Sequence, residues 1–343
     1  MTATRPLLLV TGSMRSGTSS LAGSLKLLGW HVPQPEVPAS PRNPKGHFEP
    51  RWVIEFHKRL LREALVRPSD SSPMALDRVE ARLDDGTLEA ELVTWLAGQS
   101  EPRLVVKDPH AFWIVETWRS ATARAGLDLR VLTALRHPAE VVGSQDLTWG
   151  HRRDEAGRQV KETSNTAAWL NVALVTEEQG RAGSRAFIRY HDLIADWRSA
   201  LGKASNQLDL DLDTDDAAAG HELDSWLDPS LQRSHVTWDD IVVPDWLRDL
   251  AEDAWQQLNV LVDSPLDDAA MKRLDEIRTL YHQRYAEAVA LSLDEARHRE
   301  RRGARQGAAK VRQRFRARLA RERAEAIEPA RVRRFGRGWW APR

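Results

Sequence analysis

The stretch Pro6-Leu7-Leu8-Leu9-Val10-Thr11-Gly12-Ser13-Met14-Arg15-Ser16-Gly17-Thr18-Ser19-Ser20-Leu21 constrains this chain more than any other. Its unbroken apolar run, Leu7 to Val10, suits a strand buried on both faces, and it leads into a glycine-bounded loop and then helix-compatible sequence. Strand, loop and helix in that order make a phosphate cradle. Gly12 and Gly17 permit backbone angles closed to other residues, so successive N–H groups converge on an anion at the helix N-terminus. Thr18, Ser19 and Ser20 add hydroxyl donors. Against the template G-x-x-x-x-G-K-[ST] the loop keeps both glycines and the final hydroxyl, but Thr18 stands at the lysine position. In a nucleotide triphosphatase that lysine neutralises the β- and γ-phosphates beside magnesium. Here the loop's cation is Arg15, three residues earlier, so the expected ligand is less heavily phosphorylated at this end.

Arg15-Ser16-Gly17-Thr18-Ser19 after a strand resembles the 5′-phosphosulfate loop of sulfotransferases that use 3′-phosphoadenosine-5′-phosphosulfate (PAPS). The likeness is to the bacterial and Golgi-type branch, with arginine where cytosolic eukaryotic members carry lysine. It implies that Arg15, Ser16, Gly17, Thr18, Ser19 and Ser20 hold the 5′ end of the donor, with adenosine 3′,5′-bisphosphate as product. Further segments follow in the family's order. Asn43-Pro44-Lys45-Gly46-His47-Phe48-Glu49 resembles an N-P-K-G-aromatic-aromatic-E element, and both His47 and Glu49 are able to take a proton from an acceptor hydroxyl. The structural alternatives are that Glu49 caps a helix beginning near Arg51 and that His47 is a loop residue.

Leu104-Val105-Val106 reads as a second buried strand, ending in Lys107-Asp108-Pro109-His110. That position, the carboxyl end of a parallel strand, is where open α/β sheets carry their sites. The tetrapeptide resembles the family's K-D-P-R with His110 in place of arginine. Lys107 is a candidate for stabilising the leaving phosphate, and Asp108 is a candidate site residue that also mimics the magnesium-binding aspartate of a nucleotide triphosphatase. Arg136 to Ser144, within Leu135-Arg136-His137-Pro138-Ala139-Glu140-Val141-Val142-Gly143-Ser144, resembles the family's 3′-phosphate site, an arginine with a serine eight residues on. Tyr190-His191-Asp192-Leu193 resembles a Y-x-D-L element and is read as structural. Leu231 to His235 falls where family members close over the nucleotide. The resemblance spans about residues 5–290, and the remainder lies outside it.

The periodicity predicts helices over 18–29, 52–66, 76–97 with a break near Gly86, 111–125, from Pro138, 163–179, and from a cap at Asp245 to Leu258. Strands are expected at 129–135 and 185–190. From Pro265 onward one long helix or two is expected, its apolar stripe fading near Leu293. The Leu208–Asp213 alternation followed by Asp215 and Asp216 reads as a solvated connector, since the glycine and distal glutamate of a calcium loop are missing.

At 343 residues and 41% apolar content the chain has enough material for a large core. With no cysteine it has no disulfide and no thiolate chemistry. No leader or membrane span is expected ahead of the first strand, and the chain reads as cytoplasmic. Net charge is zero, but residues 301–343 hold fifteen Arg and Lys against three Glu, leaving residues 1–300 acidic. This tail, with Phe335, Trp339 and Trp340, is compatible with an anionic membrane surface or polyanion, with the acidic body of the chain, or with a solvated helix. Nucleic acid is disfavoured for want of any recognition motif.

The expected architecture is therefore a three-layer α/β P-loop-type domain, a parallel sheet of four or five strands flanked by helices. Boundaries are expected at 1–262 for this domain, 263–300 for a helix packing on it, and 301–343 for the Arg-rich extension. The expected activity is PAPS-dependent sulfuryl transfer, without a metal, to a hydroxyl or amine of a carbohydrate, lipid or small metabolite. The alternatives are an ATP-dependent small-molecule kinase with a degenerate loop, and a non-enzymatic anion- or membrane-binding protein.

Overall fold

The computed structural model describes residues 4–41, 43–149, 154–214, 220–227 and 236–332, without side chains at 146–149 and 320–332. Four strands, β1 (Arg5–Thr11), β2 (Leu104–Lys107), β3 (Leu127–Leu135) and β4 (Arg185–Arg189), form a parallel sheet in the order β2-β1-β3-β4. The apolar runs are uninterrupted because both faces of the sheet are covered. Leu7 and Leu9 point into one core and Leu8 and Val10 into the other, as the two-residue period of a strand requires.

On the first face lie α2 (Arg51–Glu63), α3 (Ala75–Leu83), α4 (Thr87–Ala97) and α5 (Val115–Arg124), contributing Phe56, Leu60, Leu92, Leu96 and Trp118. Trp52 stacks between Phe56 and Trp95, at ring centroid distances of 5.1 and 4.8 Å. On the second face α1 (Thr18–Leu27) sets Leu21 and Leu25 against Leu8 and Val10, and α9 (Trp197–Leu208) adds Leu201 and Leu208. Each such buried leucine contributes about 2 to 5 kcal/mol relative to alanine. The break expected near Gly86 is real: Gly86 sits at φ 69° between α3 and α4. The helix expected over 111–125 opens instead with a 3₁₀ turn at Ala111–Ile114.

Between β3 and β4 run α6 (Pro138–Trp149) and α7 (Glu155–Gly180). The latter begins eight residues before the expected start, capped by Asp154 accepting from the Gly157 N–H at 2.9 Å. α8 (Tyr190–Ala195) begins at the residue expected to end the fourth strand. α10 (Glu222–Trp226) and α11 (Asp245–Asp263) follow. Asp245 does not cap α11; Pro244 occupies that position and Asp245 is the first helical residue. The final helix, α12, spans Asp268–Val332 without interruption.

The chain divides into two compact units, Met1–His282 and Gln283–Arg343. In the second, every side chain over 283–319 except Tyr285 is exposed. Phe335, Trp339 and Trp340, like Asp215, Asp216 and the Leu231–His235 segment, lie outside the described residues. Among the described residues no helix is long and apolar enough to cross a membrane.

Candidate functional site

The sheet register sets the site. Val10 pairs with Lys107 across β1 and β2, and Thr11 with Thr133 across β1 and β3, so the segments leaving these three strands emerge at one edge. β1 has β2 on one side and β3 on the other, and at such a reversal of winding a crevice opens beyond the strand ends.

The loop 12–17 is bent by three left-handed residues, Gly12 (φ 133°), Arg15 (φ 72°) and Gly17 (φ 91°). At two of these only glycine fits. A Cβ on Gly12 would stand 2.5 Å from the Ala134 carbonyl oxygen, and one on Gly17 would stand 2.1 Å from the Tyr190 ring. The left-handed backbone of Arg15 costs about 1 kcal/mol. Helix α1 has no side-chain cap and no acidic residue in its first turn. Its first N–H groups and positive end are thus presented to an anion.

A cleft of about 690 Å³ opens over this loop, lined by Arg15, Gly17, Thr18, Ser19, Ser20, His47, Glu49, Lys107, Arg136 and Ser144, among others. Two of the expected residues stand behind it. Ser16 is fully buried, and its hydroxyl donates at 2.6 Å to the Ser13 carbonyl, bracing the turn from within. Asp108 is likewise buried beneath the cleft.

One side of the cleft is built around Lys107. Its Nζ forms a close ion pair with Glu49 Oε1 and reaches Ser19 Oγ at 3.3 Å. Asn43 Nδ2 donates to the same serine at 3.1 Å. The carboxylate of Glu49 is thus turned toward the cleft cation, and α2 has no side-chain cap. His47 faces Ser40, Nε2 to Oγ 3.0 Å. The segment is held open by Gly46 (φ 111°) and Phe48 (φ 56°) and pinned by Phe48 edge-on to Trp226 at 5.9 Å.

On the opposite side Arg15 Nε donates to Ser144 Oγ at 3.0 Å. Arg136, itself 7% exposed, donates through Nε to Glu140 at 2.8 Å and through Nη1 to the Arg15 carbonyl at 3.3 Å, with its guanidinium 5.0 Å from the Tyr190 ring centroid. His191 Nε2 takes the other oxygen of Glu140 at 2.9 Å. Burial pushes the Glu140 carboxyl up, but Arg136 and His191 outweigh it and hold the group below its ordinary range. Among the described residues, Arg15 and Arg136 share this wall with the Glu140 carboxylate.

Beneath Lys107 lies an arrangement that the residue spacing did not reveal. Asp108 Oδ2 is 2.5 Å from His57 Nδ1, and Trp118 donates its indole N–H to His57 Nε2 at 3.1 Å. The second bond assigns the tautomer: Nε2 accepts, so Nδ1 carries the proton given to Asp108. The other oxygen, Oδ1, accepts from the His110 backbone N–H at 3.0 Å and lies 2.7 Å from His110 Nδ1, an ionic contact whose angle falls short of a hydrogen bond. Burial pushes Asp108 up and His110 down, yet their mutual attraction prevails, leaving Asp108 well below and His110 above its ordinary value. His57 sits on the buried stripe of α2, where sequence alone offers no sign separating it from a packing residue.

No family model matches the chain, and no curated protein matches it in sequence. In structure it is similar to the sulfotransferase domain of an olefin synthase from Synechococcus PCC 7002, at 16% identity and TM-score 0.43 over 76% of this chain and 97% of that one. It is also similar to the sulfotransferase STF1 of Mycobacterium tuberculosis H37Rv, at 17% identity and TM-score 0.37 over 74% of this chain and 77% of that one. At that distance neither likeness bears on chemistry.

Proposed function

We propose that this chain is a sulfotransferase that moves a sulfuryl group from PAPS to a hydroxyl or amine of an acceptor. The observation that carries the reading is the meeting, in one cleft, of an uncapped helix N-terminus, two guanidinium groups on one side and a lysine–carboxylate pair on the other. The donor brings the activated sulfuryl group. Loop residues Arg15 and Gly17 to Ser20 receive its 5′ end, while Arg136 and Ser144 receive its 3′-phosphate. Ser16 supports the loop.

The residue types fit a bisphosphate better than a triphosphate with magnesium. Thr18 takes the place of the phosphate-loop lysine, and the carboxylate following β2, Asp108, is buried and fully engaged with two histidines.

In the transfer, the acceptor oxygen or nitrogen forms a bond to sulfur as the sulfur's bond to the bridging oxygen breaks, and that oxygen leaves with adenosine 3′,5′-bisphosphate. Glu49 takes the acceptor's proton, with His47 the second candidate on the same segment. Lys107 faces the charge that develops on the departing oxygen. Positioning of the two substrates supplies the rest of the acceleration. Incubation of an acceptor panel with PAPS, and in parallel with ATP and magnesium, followed by mass spectrometry, tests the reading: an acceptor gaining one sulfuryl group with matching release of the bisphosphate supports it, and an acceptor gaining a phosphoryl group from ATP in its place contradicts it.

A further inference from the structure

A second cavity, about 250 Å³, lies across Met14 from the cleft, and Met14 borders both spaces. Its walls come from the turn after α2, the start of the phosphate loop, α6 and α7. The lining is apolar at Val141, Ala168, Trp169 and Val172, and its serine hydroxyls and the amides of Gln145 and Asn165 are able to donate. Arg67 and Lys161 bring two positive charges, and none of the described lining residues is acidic.

Among the described residues, Asp70 is the one carboxylate paired with these charges. Asp70 is 3.6 Å from Arg67 and 3.8 Å from Arg78, so one carboxylate faces two guanidinium groups. Lys161 pairs with no carboxylate among the described residues. Beside them stands Asn165, 7% exposed, whose Nδ2 is buried without an acceptor. An amide donor left unmatched in the interior costs about 1 to 3 kcal/mol, and an incoming oxygen anion removes that penalty.

We infer that this cavity holds an anionic oxygen group, carboxylate or phosphate monoester, attached to an apolar body, and that it is the anchor for the acceptor. Arg67, Lys161 and Asn165 grip the anion, and Trp169 and Val172 take the apolar part. The assignment of the ligand as acceptor rests on the cleft being the donor site; the anion site itself does not.

Calorimetric titration of the full chain with 4-hydroxybenzoate, phenyl phosphate and the neutral isostere 4-hydroxybenzamide tests it, each with and without saturating adenosine 3′,5′-bisphosphate. At least one anion is expected to bind about tenfold or more tighter than the amide, as charge-assisted bonds require. The stronger of the two anions identifies the group. Lys161→Gln is expected to remove that preference while leaving bisphosphate affinity unchanged, which also shows that the variant is folded. Equal binding of anion and amide, no binding of any probe, or a preference untouched by Lys161→Gln overturns the anion site. Failure of the bisphosphate to bind the unaltered chain overturns the donor-site reading and the acceptor role, leaving only the anion preference to stand.

Discussion

Arg15 and Ser144 are joined by a 3.0 Å hydrogen bond from Nε to Oγ, linking the phosphate loop to a helix 129 residues further along the chain. Each was expected to hold a different phosphate of one ligand. Their contact makes the two half-sites neighbours in a single cleft and orients the Arg15 side chain, whose backbone is already constrained to φ 72°.

Removing either partner has a different signature. Ser144→Ala deletes one donor and loosens Arg15, and is expected to weaken adenosine 3′,5′-bisphosphate binding by about 1.5 to 3 kcal/mol, the range for a bond to a charged group. Adenosine 5′-monophosphate, which lacks the 3′-phosphate, should lose less affinity in Ser144→Ala, only what the loosening of Arg15 costs. Competition binding with adenosine 5′-monophosphate checks this, and an equal loss for both nucleotides contradicts it.

Glu49 and Lys107 are the pair whose separation should split chemistry from folding. Glu49→Gln keeps the shape of the side chain and removes the base, so turnover should fall by about a hundredfold or more with bisphosphate affinity retained. Lys107→Ala strands a buried carboxylate and should destabilise the fold by about 3 kcal/mol or more as well as slowing transfer. Steady-state kinetics beside chemical denaturation separates the two effects; full activity in Glu49→Gln would move the proton acceptor to His47.

Gly17 is expected to tolerate no side chain. Gly17→Ala meets both a left-handed backbone at φ 91° and the Tyr190 ring, and should lower stability by about 1 to 3 kcal/mol and abolish bisphosphate binding. Adding Tyr190→Ala relieves the collision but not the backbone strain, so the double variant should recover stability only in part. Complete recovery on thermal denaturation would show that the positive φ is without consequence.

The His110–Asp108 contact predicts a definite pH dependence. The His110 pKa is raised in the folded state against opposing burial, so its pairing stabilises the fold fully below the unfolded value of about 6.5. That contribution is lost as pH rises through the higher folded value. Proton NMR of the histidine ring signals should show His110 titrating above the ordinary range, and Asp108→Asn should bring the midpoint down. A midpoint below 6.5 in the unaltered chain contradicts the assignment.

Much of this molecule was legible in its residues. Continuous runs such as Leu7 to Val10 announced strands covered on both faces, and the left-handed demands of Gly12 and Gly17 announced the cradle. What escaped was whatever depends on partners remote in sequence. His57 sits on an apolar stripe and looks like packing until β2 brings Asp108 against it. Glu177, one of two adjacent acidic residues in α7, proves fully buried because Arg181 and Arg185 reach it at 2.6 and 2.9 Å. Ser16 turns inward because the loop's own turn uses its hydroxyl. The first turns of α7 carry no apolar stripe to mark them, whereas the long helix expected from Pro265 onward is present as α12; beyond Leu293, where its stripe fades, alanine, arginine and glutamate carry the helix by propensity.

The most direct measurement of the central claim is a calorimetric titration with adenosine 3′,5′-bisphosphate, run beside ATP with and without magnesium, on the unaltered chain and on Arg136→Ala. Metal-independent micromolar binding of the bisphosphate, weakened by about 2 kcal/mol or more in the variant, is the predicted result. Tight magnesium-dependent ATP binding with none of the bisphosphate would contradict it and make the loop that of a kinase.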